Sequence, residues 1–256
     1  MRPSIELKSA IPLATPSQPA KVLLVVPAFN EAASIGRVVT DLAAQLPEAT
    51  VLVINDGSRD ETSALARAAG CCTVVDLPCN LGIGGAVQTG FKYAARNGFD
   101  VAVQVDGDGQ HKAEEIRGLV AALEGDRFDM VIGSRFLGIE SFRSTALRRV
   151  GIRVFEVVNS LAIKQRITDS TSGFRAYGRE AIAFLAQHYP VDYPEPEAVI
   201  LLGRNGFRIR EIPVAMEERQ GGRSSIHGLK SAYYMVKVML AIGLNLLRAP
   251  VRTRGA

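Results

Sequence analysis

From Lys21 onward the chain alternates short, wholly apolar runs with longer stretches whose apolar residues recur every three or four positions. The runs Val22–Val26, Val51–Ile54, Thr73–Val75, Val101–Val105 and Met130–Ile132 are short and rich in β-branched residues, so they predict strands. Between them Ala32–Leu46 (Ile35, Val38, Val39, Leu42, Leu46), Thr62–Ala69, Ala86–Arg96 and Glu114–Leu123 keep helical spacing. Strands that are apolar on both faces, alternating with helices, predict an α/β fold: a mainly parallel, Rossmann-like sheet with helices on both faces. After Arg135 the pattern changes. A basic helical segment, Thr145–Lys164, leads to Thr168–Arg175, then a further helix and a strand-like Arg208–Ala215.

Ligands of such sheets sit at the carboxyl ends of the strands, and the polar residues concentrate there. The five runs end in Pro27-Ala28-Phe29-Asn30-Glu31, Asn55-Asp56-Gly57-Ser58, Asn80-Leu81-Gly82-Ile83-Gly84-Gly85, Asp106-Gly107-Asp108-Gly109-Gln110-His111 and Gly133-Ser134-Arg135. In a parallel sheet these ends converge on one rim. Asp106 and Asp108, two residues apart just past a buried strand, suit a divalent ion such as magnesium or manganese that a diphosphate also holds. Such an ion stabilises charge on a leaving diphosphate. The glycines Gly82, Gly84, Gly85 and Gly90 do not fit G-x-G-x-x-G in register and follow the third run rather than the first, which argues against a dinucleotide fold. They fit either a turn opening the Ala86 helix or close backbone packing near a nucleotide. Asp56 can accept a hydrogen bond from a base or ribose, and Arg135 can clamp an anion. Asp56-Gly57-Ser58 also reads as a turn leading into the next helix.

Composition narrows the class. The chain has 256 residues, 47% of them hydrophobic and 22% charged, enough for a substantial core and too apolar for disorder. Cys71, Cys72 and Cys79 make neither a disulfide framework nor a zinc spacing. The net charge of +4 divides unevenly. Residues 1–142 carry 12 Lys and Arg against 17 Asp and Glu, and residues 143–256 carry 18 against 9. The basic half suits an anionic partner such as nucleic acid, anionic lipid or a phosphorylated substrate, or is an ordinary fluctuation of charge along a chain. Its basic residues lack aromatic interleaving and there is no Trp, which speaks against nucleic acid. Residues 1–20, with four prolines and no apolar h-region, read as a flexible leader rather than a signal peptide. The most apolar stretch, Leu229–Leu247, is interrupted by Lys230, Lys237 and Asn245, so no spanning helix is predicted.

The ordered set of strand-end motifs, together with Thr171-Ser172-Gly173-Phe174-Arg175, resembles the family-2, GT-A-fold glycosyltransferases, in particular the dolichyl- or polyprenyl-phosphate sugar synthases. The resemblance spans about Lys21 to Leu247 and implies a catalytic domain over residues 21–227. It implies that Pro27, Phe29, Glu31 and Asp56 bind the base and ribose of a nucleotide sugar, with Gly84 close by. Asp106, Asp108 and Gln110 would form the Mg²⁺ or Mn²⁺ and diphosphate site. Arg135 and Arg219 would meet phosphates of donor or acceptor, and Glu197 would face the sugar, so Asp108, Arg135 and Glu197 stand as the catalytic set. Arg149 and Ser224 join Arg135 and Arg219 on the acceptor-phosphate side. Asn55-Asp56 stands where the family usually has two aspartates, and the segment after Arg219 departs from its pattern. Tyr193-Pro194-Glu195-Pro196-Glu197 and Tyr233-Tyr234-Met235-Val236-Lys237 resemble a bacterial subgroup that occurs beside a small membrane protein, which would be a partner; a homo-oligomer is a further expectation.

The reaction so implied is inverting displacement at an anomeric carbon by a polyprenyl phosphate. That acceptor has a second pKa of ~6, so it is anionic at neutral pH and needs no strong base. It needs positive charge to bring two anions together, for which Arg143, Arg148, Arg149 and Arg153 are also placed. Residues 228–256 read as an amphipathic segment: Lys230, Lys237, Ala241, Asn245 and Arg248 form one stripe, and apolar residues fill the rest. This suits a helix lying on the cytoplasmic membrane face or on a membrane partner, or alternatively a core helix. Two rival functions remain: transfer to a saccharide or protein hydroxyl, with Asp169, Glu195 or Glu197 as base, and a non-catalytic nucleotide-sugar-binding partner of a membrane protein.

Overall fold

The computed structural model describes residues 20–123, 128–137, 160, 163–216, 237 and 243. The first half follows the predicted alternation: β1 (Val22–Ala28), α1 (Ile35–Gln45), β2 (Thr50–Asn55), α2 (Thr62–Ala68), β3 (Thr73–Asp76), α3 (Gly82–Arg96) and β4 (Val101–Gln104). A single 3₁₀ turn, Ala113–Glu115, opens α4 (Ile116–Leu123), and β5 (Met130–Ser134) follows. Beyond it come β6 (Arg175–Gly178), α5 (Arg179–His188), α6 (Pro194–Arg204) and β7 (Ile209–Pro213). The seven strands form one sheet in the order β3-β2-β1-β4-β6-β5-β7.

All pairs are parallel except those of β6, which runs antiparallel between β4 and β5. Strands β1, β2, β4 and β5 therefore end on the same rim, and β6 begins there. That insertion was not predicted: Arg175-Ala176-Tyr177-Gly178 is short, and its first residue is charged.

Both faces of the sheet are covered because the strands are apolar on both. Leu23 and Val25 of β1 pack toward α3, α5 and α6, against Val87, Phe91, Leu185 and Leu202. The alternate residues Leu24 and Val26 pack against Val38, Val39 and Leu42 of α1 and Leu119 of α4. Burying each such side chain is worth about 1.5–3 kcal/mol. Helix α3 lies close on the sheet at Gly90, where an added Cβ would stand 2.3 Å from Val25 Cγ1.

Two helix starts differ from expectation. Helix α3 begins at Gly82, so the glycine-rich segment is its first turn rather than a loop before Ala86. Helix α1 begins at Ile35, because Glu31 C=O accepts both the Ser34 and Ile35 N–H and closes a turn ahead of it. Residues 1–19, Arg143, most of the basic segment 145–162, Arg149, Arg219 and Ser224 lie outside the described residues, as does the C-terminal segment apart from Lys237 and Gly243. No helix among the described residues is long and apolar enough to cross a membrane.

Candidate active site

The turns after β1 and β2 are stitched together. Asn30 N–H donates to Ser58 Oγ (3.0 Å), Arg59 N–H to Asn30 Oδ1 (2.9 Å) and Glu31 N–H to Thr62 Oγ1 (2.8 Å). Asn30 takes a left-handed φ of 56°, which Asn tolerates better than most residues. Asp56 is buried at the end of β2, and its Oδ1 accepts the Leu81 N–H at 2.7 Å. Gly57 needs its φ of 67°, and a Cβ there would lie 2.8 Å from Asn80 N. Thus the second and third motifs form one wall. Pro27 is buried beneath it, and the Phe29 ring is 43% exposed at the rim.

Asn55 now has a physical reason. Its Nδ2 donates to Asp76 Oδ1 at 2.8 Å, and Asp76 also accepts Ser63 Oγ and Arg67 Nη2. These bonds, Ser63 first, lower the Asp76 carboxyl to about 2. An aspartate at position 55 would face that carboxylate with no proton to give.

The Asp-x-Asp segment sits on the neighbouring strand end. Ser34 Oγ donates to Gly107 C=O at 2.8 Å, tying it to the first motif. Asp108 is buried, and its Oδ1 accepts the Gln110 N–H at 3.0 Å. Asp106 keeps about a third of its side chain exposed. Its N–H donates to His111 Nδ1 (3.0 Å), so the imidazole proton belongs on Nε2, which stands 3.5 Å from Asp106 Oδ2. The ring stacks on Phe174, centroids 4.6 Å apart. Burial lowers the His111 pKa against the opposing pull of Asp106 and Asp108, so the ring is neutral at pH 7. From the other side Gly173 closes on Asp106: a Cβ there would lie 3.0 and 3.1 Å from the two carboxylate oxygens.

Arg135 leaves the end of β5 and is fixed by Asp169. Its Nε and Nη2 donate to Asp169 Oδ2 (2.7 Å) and Oδ1 (2.8 Å), its own N–H to Oδ2 (3.1 Å), and Nη2 also to Thr171 Oγ1 (2.8 Å). The Asp169 side chain is fully buried and that of Arg135 is 21% exposed. Burial alone would raise the Asp169 carboxyl, but the bonds and charge of Arg135 outweigh it and hold it below its ordinary value.

The model of the family described as glycosyl transferase family 2 matches residues 23–185, which takes in every one of these motif turns. The chain belongs to that family. It is a glycosyltransferase. A polyprenol monophosphomannose synthase of Mycolicibacterium smegmatis is 29% identical over 227 residues, covering 85% of this chain and 85% of the relative. An undecaprenyl-phosphate mannosyltransferase of Micrococcus luteus is 30% identical over 219 residues, covering 81% and 88%. In fold, the chain resembles glucosyl-3-phosphoglycerate synthase from Mycobacterium tuberculosis, crystallised with Mn²⁺, UDP and phosphoglyceric acid. The TM-score is 0.68 at 22% identity, covering 91% of this chain and 80% of that one.

Within this family-2 fold the rim gathers Pro27, Phe29, Glu31, Asp56, Asp106, Asp108, Gln110 and Arg135, all expected there. Gly84 is placed differently. It is covered by the turn before α6, where a Cβ would meet Pro190 O at 2.6 Å and Val191 O at 2.8 Å, so its bareness serves backbone packing inside the protein. Glu197 lies in the first turn of α6, and its Oε1 accepts the Tyr193 N–H at 3.2 Å. Glu195, two residues earlier, is the carboxyl that senses the site: burial raises its pKa, Arg175 opposes this, and Asp106 adds to it.

Three residues were not anticipated. Arg175 is wholly buried and donates to three backbone carbonyls, Ser172 (2.6 Å), Glu195 (2.8 Å) and Ser170 (2.6 Å). Gly173 leaves room beside Asp106 that any side chain would fill, and Glu211 of β7 receives the chain next to Asp169. The motif Thr171–Arg175 marked the segment, but no spacing in the sequence links Glu211 to it.

Proposed function

We propose that this glycosyltransferase transfers a sugar, with inversion, from a nucleotide-sugar donor to a polyprenyl phosphate. The observation that carries the reading is the locked Arg135–Asp169 pair. A carboxylate held by a guanidinium and kept below its ordinary pKa is a poor general base, which takes Asp169 out of the three candidate bases and leaves Glu195 and Glu197. A phosphate acceptor is already anionic and needs none, whereas a sugar or protein hydroxyl does. The two relatives named for polyprenol and undecaprenyl-phosphate mannosyl transfer support the same acceptor class.

On the donor side, Asp56 and the Phe29 rim suit the base and ribose. Among the described residues no group of three or more His, Cys, Asp or Glu could hold a metal by itself. Asp106 and Asp108, two carboxylates at one strand end, fit a hard ion that takes the rest of its oxygens from a diphosphate and water, as Mg²⁺ or Mn²⁺ does. When bound, such an ion neutralises charge on the departing diphosphate. The part of the chain's own residues is to hold the ligand carboxylates, with His111 and Gly173 bracketing Asp106, and to present the Arg135 guanidinium to phosphate. We place the enzyme at the cytoplasmic membrane face, where a polyprenyl phosphate would be reached, with residues 228–256 against lipid or a membrane partner.

The test is to incubate purified protein and membranes, with Mg²⁺ or Mn²⁺, with labelled UDP-, GDP- and dTDP-sugars. Label in organic-extractable, mild-acid-labile lipid is the expected result. Label only in water-soluble or protein product overturns the acceptor. Asp108→Ala should abolish transfer; unchanged turnover would reject the metal assignment.

A further inference from the structure

The segment Thr168–Gly173 lies between the two charges that the proposed reaction uses. At one end Gly173 leaves the space that the Asp106 carboxylate occupies, and beside it Arg175 grips the Ser170 and Ser172 carbonyls. At the other end Asp169 fixes Arg135. That end is itself fixed by Glu211 of β7. Asp169 N–H donates to Glu211 Oε1 (2.8 Å), while Thr168 N–H (2.8 Å) and Thr168 Oγ1 (2.9 Å) donate to Oε2.

The hydroxyl protons give this arrangement a direction. Thr168 Oγ spends its only proton on Glu211, so at its 2.8 Å contact with Ser134 Oγ it must accept. Ser134 Oγ in turn accepts the Phe136 N–H at 3.2 Å. A run of donors therefore passes from the backbone flanking Arg135, through Ser134 and Thr168, and ends on Glu211. Only a group with two acceptor oxygens can end it and also take the Asp169 N–H. A glutamine would turn its amino group either on Asp169 N–H or on Thr168, and loses at least one bond whichever way it faces.

We propose that Glu211 is a positioning residue: by fixing the Thr168–Asp169 peptide it sets where the Arg135 guanidinium stands, and so tunes the acceptor-phosphate side of the site. The inference rests on the reading of Arg135 as an acceptor-phosphate contact. Glu211 itself lies on the last strand of the sheet, facing the turn rather than any substrate. Its strand is already held by five register pairs with β5, from Met130↔Ile209 to Ser134↔Pro213, so the strand does not depend on this side chain.

The experiment is steady-state kinetics of full-length Glu211→Gln with membranes supplying the acceptor, varying donor and acceptor in turn, alongside thermal melting. Loss of a bond to a charged acceptor predicts a fall of about 10-fold or more in acceptor kcat/KM. The donor KM should stay within about twofold, while the melting temperature should fall by about 3–12 °C, the cost of one such bond. Glu211→Ala should deepen the same acceptor defect. Unchanged acceptor kinetics in both variants, or donor and acceptor parameters falling together with the melting temperature, overturns the proposal. The wild-type labelling pattern tests the identity of the acceptor. The variant-to-wild-type ratio, read on whichever acceptor the wild type uses, tests Glu211, so the two failures are distinct.

Discussion

Asp169→Asn separates a locked ion pair from a catalytic base. The wild-type carboxylate takes three donors from Arg135 and a fourth from Thr171 Oγ1 at 3.2 Å. Asparagine offers one oxygen, and its amino group must confront a donor. At least one charged hydrogen bond is lost, worth about 1.5–3 kcal/mol, and the buried pair is broken, which typically costs about 3–5 kcal/mol. Arg135 is one-fifth exposed and can turn to water, so the lower end applies: about 3 kcal/mol in urea unfolding at pH 7. The pH dependence has a definite sign. The folded carboxyl is held below its ordinary value, so the pair's contribution is present above the usual carboxylate range and fades as pH falls through the depressed value. The gap between wild type and variant should therefore stay open at pH 5 and close only in strong acid. A gap under about 0.5 kcal/mol, the level of an ordinary surface substitution, would refute the reasoning. If instead kcat collapses while stability and acceptor KM hold, Asp169 is a general base and the hydroxyl acceptor gains.

Other outcomes follow from single contacts. Gly90→Ala places a methyl 2.3 Å from Val25 Cγ1 and should destabilise by about 1–3 kcal/mol; a neutral result would mean α3 can slide on the sheet. Arg175→Met strands the Ser170, Ser172 and Glu195 carbonyls and should cost about 3 kcal/mol or more, measured by denaturant unfolding, with activity lost at full folding only if those carbonyls position the site. Asp76→Asn should cost less than about 1 kcal/mol at pH 7, since the group is nearly half exposed, and the difference should vanish as pH falls from about 4 through 2.

The first five strands and their rim were legible because parallel strands buried on both faces leave continuous apolar runs, and because chemistry in such sheets collects at their carboxyl ends. The order of the sheet was not legible. Nothing in Arg175-Ala176-Tyr177-Gly178 says that it enters between β4 and β5 in the opposite sense, since pairing partners are set by tertiary packing and not by local pattern. The same holds for glycines. Gly84 and Gly173 look alike in sequence, yet one admits a protein turn and the other admits the Asp106 carboxylate. The carboxylates divide likewise. Asp169, Glu195 and Glu197 were interchangeable as bases on paper, but only their neighbours decide: a guanidinium for Asp169, a backbone N–H for Glu197, and burial beside Arg175 and Asp106 for Glu195.

That division also changes where positive charge must be sought. Two anions have to meet in the proposed reaction, and repulsion between them must be offset at close range. Arg135 stands at the rim, but Asp169 already neutralises it, so it acts as an oriented donor more than as net charge. Arg175, at the start of β6, is buried with its guanidinium donating to backbone carbonyls. In residues 143–256 the described positions hold eight Lys and Arg against six Asp and Glu. The remaining positions hold ten against three. Most of the basic excess therefore falls, in sequence, outside the described residues, at Arg143–Arg153 and from Arg219 onward, while the described rim is acidic. A rim of this sign suits a divalent ion and repels a lone phosphate. Among the described residues Arg135 is a guanidinium oriented at this rim with its charge already paired, so in the proposed reaction its anchoring matters more than its charge.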